Sequence, residues 1–151
     1  MTVSILKHLK TDYEQAELDK AVELWDKGWP YKDIAYALDI DDAEGLLVLL
    51  YLNNEGKLKY RERGIFGTVD NDQLKYDTYH RLNYNELLHF NQGKAWNMKD
   101  SVYLCKYADV DGLKSVSLAL GRTYKSVAQK LKTLKKEGLY EQYKHTEVSY
   151  E

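Results

Sequence analysis

Cysteine occurs once, at Cys105, and proline once, at Pro30. A lone cysteine excludes an internal disulfide and any cysteine-rich zinc site, and it suits a reducing, cytoplasmic setting. With so little proline, few helices are forced to break. The longest apolar run, LLVLLYL at Leu46 to Leu52, is far short of the ~18 residues of a membrane span, so no membrane partner is expected. The opening residues MTVSILKHLKTDYEQ lack the apolar core and small-residue cleavage site of a signal peptide. His8, His80, His89 and His145 show no ligand spacing. The pairs Asp39/Asp41 and Asp109/Asp111 do not continue as calcium loops. The glycines stand singly at expected helix ends, with no glycine-rich phosphate loop. No catalytic residue, metal or cofactor is therefore expected, and the chain reads as a non-enzyme.

Charge is plentiful but unevenly placed. Residues 1–60 hold seven Lys against twelve Asp and Glu, a net of -5, whereas residues 96–145 hold ten Lys and Arg against five, a net of +5. An acidic front and a basic back point to two units with different partners, and the basic one is where a polyanion would bind.

Apolar spacing is helical nearly throughout, so the fold class expected is all-α: two small three-helix units joined by a partly ordered linker. The first unit spans 1–60. Leu18, Ala21, Val22, Leu24 and Trp25 line its first helix, which Gly28 ends, and Pro30 suits the next start. Ile34, Ala35 and Leu38 face the second helix. Asp41 or Asp42 caps the third, which stops near Gly56. Lys57 to Arg63 alternates weakly, as a short wing strand or an exit would. Residues 61–94 read as linker, with Tyr76, Tyr79 and Leu82 in a helical turn, Tyr76, Tyr79 and Tyr84 packing it against a domain in preference to stacking on bases, and a short capped helix at ELLHF, Glu86 to Phe90. The second unit spans 95–145, and 146–151 is a polar tail. Trp25, Trp29, Trp96 and Cys105 are expected in cores.

The segment LKSVSLALGRTYKSVAQKLKTLKKEG, Leu113 to Gly138, carries the strongest functional signal. Gly121 breaks the first apolar face. Thr123 is a good N-cap, and Val127, Leu131 and Leu134 recur at helical spacing. The other side of that helix is basic and rich in hydrogen-bonding groups. One face packs and the other is free to enter a major groove, as in a helix-turn-helix. An internal repeat at an offset of 82 places Ile34 on Val116, Leu38 on Leu120, Asp41 on Thr123, Leu49 on Leu131 and Gly56 on Gly138.

The run WNMKDSVYLCKY from Trp96 to Tyr107, followed by LALGRT from Leu118 to Thr123 and Ser126-Val127, resembles the Myb/SANT-like helix-turn-helix domains. The likeness covers about 45 residues, Trp96 to roughly Tyr140, and rests most on the Leu-Gly-Arg-Thr turn. LWDKGWPYKDIAYALDIDD in the first unit is similar, more loosely, to bacterial helix-turn-helix regulators. The resemblance implies base-facing positions at Lys125, Ala128, Gln129 and Lys132, with Arg122 and Lys130 nearer phosphates. Leu131 stands where the family has an aromatic, and Ala128 offers only a methyl contact, so the family's sequence preference does not carry over.

The expectation is a sequence-specific regulator that binds double-stranded DNA through Arg122, Thr123, Tyr124, Lys125, Ser126, Gln129, Lys130, Lys132, Thr133 and Lys136. The first unit is acidic where a reader would meet phosphate. It is expected to form a homo-oligomer, or to bind a protein partner, through Asp41, Asp42, Leu47, Leu50 and Tyr51. The alternative is an adaptor or antirepressor that turns both folds on proteins.

Overall fold

A computed structural model describes residues 1–67, 75–76 and 83–147. Among these the chain is all-α, with no strand. The helices are α1 (Gln15–Asp26), α2 (Tyr31–Ala37), α3 (Asp42–Asn54), α4 (Met98–Leu120), α5 (Tyr124–Lys136) and α6 (Tyr140–Lys144), with a single 3-10 turn at Gly64–Phe66. Two compact units result, Met1–Asn71 and Asp72–Glu151. The expectations for Tyr79, His80 and Leu82, and for the last four residues of the tail, lie outside the described residues.

In the first unit, Glu14 and Glu17 form a capping box that starts α1, and Asp41 and Glu44 do the same for α3. Pro30 stands at the N-cap of α2, with φ already set at -65°. The three helices bury Leu24, Trp25, Trp29, Ile34, Val48 and Leu49. α2 and α3 cross closely at Gly45, where a Cβ would fall 2.6 Å from that of Ala35. No larger residue fits there without moving one helix.

The segment 57–63 forms no wing strand. It serves instead to bring in Arg61, 8% exposed, whose guanidinium donates to the carbonyls of Trp25, Trp29 and Gly67 at 2.8, 2.9 and 3.0 Å. The guanidinium carbon lies 3.5 Å from the Trp25 ring centroid, and the Trp25 indole N–H donates to the Lys59 carbonyl at 2.8 Å. Arg61 is thus part of the first unit's core rather than of a linker.

Asp33, in the first turn of α2, is pushed up to about 6 by burial and then by Asp42 at the start of α3. A carboxyl raised in the folded state contributes stability that is complete below the unfolded value near 4 and is lost as pH rises through about 6. Allowing for partial solvent screening, the contribution is on the order of 1–2 kcal/mol. Asp33→Asn should therefore stabilise the first unit at pH 7.5 and give no advantage at pH 4. Urea titrations followed on α2 and α3 resonances would check this.

The second unit begins before α4. Asn85, Leu88 and His89 are buried, so this stretch belongs to the unit and not to a linker. The expected helix at 86–90 is a hydrogen-bonded turn instead. The Asn85 side-chain oxygen accepts the Leu87 N–H at 3.0 Å, and the Asn85 N–H donates to His89 Nδ1 at 2.7 Å. Burial holds His89 below its ordinary pKa, in keeping with the neutral ring that an accepting Nδ1 requires.

Asn97 caps α4 by accepting the Asp100 N–H at 2.7 Å. α4 is broken at Gly112 (φ 84°, ψ 157°) into two arms. Leu104, Cys105 and Ala108 from the first arm meet Val116 and Leu120 from the second and Val127, Leu131 and Leu134 from α5. At the end of α6, Lys144 pairs with Asp109 at 3.7 Å, and the Tyr140 hydroxyl donates to Asp109 at 2.9 Å. That hydrogen bond holds the Asp109 carboxyl below its usual range.

The two units share a register. α3 and α5 each have thirteen residues, are offset by 82 at both ends, and have N-caps at Asp41 and Thr123 with the same offset.

Candidate nucleic-acid interface

α5 is amphipathic by construction. Val127, Leu131 and Leu134 bury one side, and Lys125, Gln129, Lys132 and Lys136 repeat at i, i+4, i+7 and i+11 on the opposite side, all exposed. At ~1.5 Å per residue this stripe is about 16 Å long. That length equals roughly five phosphate spacings along one strand of a duplex, at ~3.4 Å each. Thr133 flanks it, exposed, with its hydroxyl donating back to the Gln129 carbonyl at 3.0 Å. Tyr124 is half-buried at the helix start. Lys130 lies to the side, its ammonium 5.7 Å from the Trp96 ring centroid.

The approach to α5 is held from two directions. Gly121 adopts a left-handed conformation, φ 63°, which lets the chain reverse between α4 and α5. The Asn91 N–H and side-chain amide donate to the carbonyls of Gly121 and Leu120 at 2.8 and 2.9 Å. The Gln92 side chain accepts the Thr123 N–H at 3.2 Å and donates to the Ser126 hydroxyl at 2.8 Å. Thr123 in turn caps α5 by accepting the Ser126 N–H at 3.2 Å. Every one of these groups fixes the angle at which α5 leaves the turn.

Phe90 lies over Gly121, and a Cβ on that glycine would fall 2.7 Å from the ring. Gly121→Ala should cost about 1–2 kcal/mol for the left-handed backbone alone, and more for the ring. Pairing it with Phe90→Ala should recover only the steric part. Thermal unfolding of the four proteins in this cycle would measure both.

Several of the ten residues expected at DNA are engaged within the unit. Arg122 is the clearest correction. It is 3% exposed, donates to the carbonyls of Lys94 and Ala95 at 2.9 and 3.3 Å, and lies 4.3 Å from the Trp96 ring centroid, with Asp100 at 4.0 Å. Phosphate cannot reach a guanidinium enclosed in this way. Thr123 and Ser126 take part in the cap and the Gln92 bridge. In the sequence Phe90 was legible only as the end of a short helix, and Asn91 and Gln92 had no assigned role; what the three hold follows from tertiary packing.

In the first unit the register assigns the stripe differently. The offset of 82 sets Lys125, Gln129, Lys132 and Lys136 on Ala43, Leu47, Leu50 and Asn54 of α3, and the flanking Thr133 on Tyr51. Leu47 is half-buried, and Leu50 and Tyr51 are each 53% exposed. Asp41 is the N-cap of α3, and Asp42 opens its first turn. The face that is basic in α5 carries no basic residue in α3, where Leu47, Leu50 and Tyr51 make its middle apolar and Asn54 ends it.

Among the described residues, no group of three or more His, Cys, Asp or Glu could hold a metal ion, and no helix is long and apolar enough to cross a membrane. No family model, curated protein or solved structure matches the chain.

Proposed function

We propose that this protein is a duplex-DNA-binding regulator rather than an enzyme, in which α5 acts as the recognition helix of a helix-turn-helix like that of the Myb/SANT domains it resembles. One observation carries the proposal: the Lys125–Gln129–Lys132–Lys136 stripe lies outward, opposite the side that the core buries. A helix ~10–12 Å across fits a major groove of similar width. The lysines neutralise phosphates and release counterions. Gln129, central in the stripe, has the paired donor and acceptor that adenine presents in the major groove. The turn at Gly121, held by Asn91 and Gln92, sets the docking angle.

The first unit supplies a protein contact, to a second copy or to a partner. Its net negative charge opposes DNA, and the stripe that is basic in α5 has the apolar Leu47 and Leu50 at its centre in α3. That apolar centre also favours the adaptor reading, in which both units bind proteins. Selection from random duplexes followed by a mobility-shift titration at 50 and 200 mM salt separates the two. A regulator enriches a defined sequence and binds it with steep salt dependence. An adaptor enriches nothing and shifts no fragment at the lower salt.

A further inference from the structure

The first unit carries a trough along α3, walled on its other side by the lead-in from Leu6 to Tyr13 and by α1. It consists of two hollows of about 440 and 270 Å³ that share Leu18 and Tyr51 in their walls. Leu47 and Val48 line the first hollow, and Val22 and Leu52 line the second. From Leu47 to Glu55 along α3 is eight residues, or about 12 Å. That length takes two turns of a helix, hence two or three anchor side chains at i, i+4 and i+7. Lys10 closes one end. Its ammonium bridges to Glu17 of α1 at 2.9 Å, and its backbone N–H donates to Glu44 of α3.

The charges at the rim choose the occupant. Lys10 is committed to Glu17, which leaves Asp12, Asp19 and Glu55 against Lys57 around the two hollows. Asp19 is held in place by the Gln15 side-chain amide at 2.8 Å. A second copy would bring the same acidic rim against itself, with five net negative charges in residues 1–60 on each side. A helix with an apolar stripe and lysine or arginine on its flanks meets both the floor and the rim.

We infer that the trough along α3 is the docking site for a basic amphipathic helix of another protein. This rests on the reading of the first unit as the protein-binding one, and it names the partner's chemistry.

The test uses the full chain and two synthetic 18-residue helical peptides with one leucine stripe, one flanked by lysine and the other by glutamate, titrated by fluorescence anisotropy. The lysine peptide should bind at least tenfold more tightly than the glutamate peptide. Asp19→Lys combined with Glu55→Lys, both on exposed positions, should reverse that order. Tyr51→Ala should weaken the lysine peptide at least tenfold while the helical circular dichroism is retained.

Equal binding of the two peptides, or no effect of the rim reversal, would overturn the inference. So would a dimer in sedimentation that Tyr51→Ala dissociates while neither peptide binds; that result would give the trough to a second copy and leave the first unit a protein-binding module. Absence of both dimer and peptide binding would remove the protein-binding role itself. DNA titration of the Tyr51→Ala chain stays separate, because it reports the second unit only.

Discussion

Lys125→Ala combined with Lys132→Ala should lower DNA affinity on the order of a hundredfold, at about 1.5 kcal/mol or more for each charged contact removed. The salt dependence should change with it. Four lysines on phosphates, Lys125, Lys130, Lys132 and Lys136, give a slope of log affinity against log salt near about -3.6. Raising salt from 50 to 200 mM then weakens binding roughly a hundredfold. Removing two of the four should halve the slope and reduce that loss to about tenfold. The helix itself should survive, because both positions are exposed and alanine favours helix. Gln129→Ala makes the complementary case. It should flatten the preference among sequences while the slope stays as in the parent. A double lysine variant with unchanged affinity and slope would remove α5 from the interface.

The parts of the fold that were legible in the sequence are those set by near neighbours. Asp41 and Thr123 cap their helices because a short oxygen-bearing side chain reaches the N–H three residues on. The reversal at Gly121 and the buried side of α5 follow from a left-handed glycine and from helical spacing. The breaks at Gly28 and Pro30 likewise bounded α1 and α2. Where long-range partners decide, local pattern misled. Arg61 stood in a stretch that suggested a strand, yet three carbonyls and an indole draw it inward. Residues 86–90 had a capped helical look, but the His89 ring takes the Asn85 N–H and holds a turn. Asn91 and Gln92 carried no signal, since what they hold lies about thirty residues away. The basic stripe itself was legible because period and charge coincide on one helix. Its membership was not, for a buried arginine and an exposed one are the same letter.

Arg122 makes that last distinction testable. Arg122→Ala should destabilise the second unit by about 3–5 kcal/mol, enough to unfold a domain of this size. Two carbonyls, those of Lys94 and Ala95, lose their donor, and the Trp96 ring loses the guanidinium beside it. Asp100 is left without its cation. Arg122→Lys should recover little, because an ammonium cannot lie flat against an indole while bridging two carbonyls. A phosphate-binding arginine behaves in the opposite way. There the lysine variant keeps its charge and much of its affinity, and the alanine variant loses binding with the fold intact. Hydrogen exchange across α4 and α5 should thus collapse in both Arg122 variants, with DNA binding lost at every salt concentration, since α5 no longer has a fixed angle. Lys125→Ala combined with Lys132→Ala should leave exchange untouched and weaken binding in a salt-dependent way. A well-protected Arg122→Ala chain with reduced DNA affinity and a shallower slope would return Arg122 to the phosphate backbone and require its enclosure to open when DNA binds.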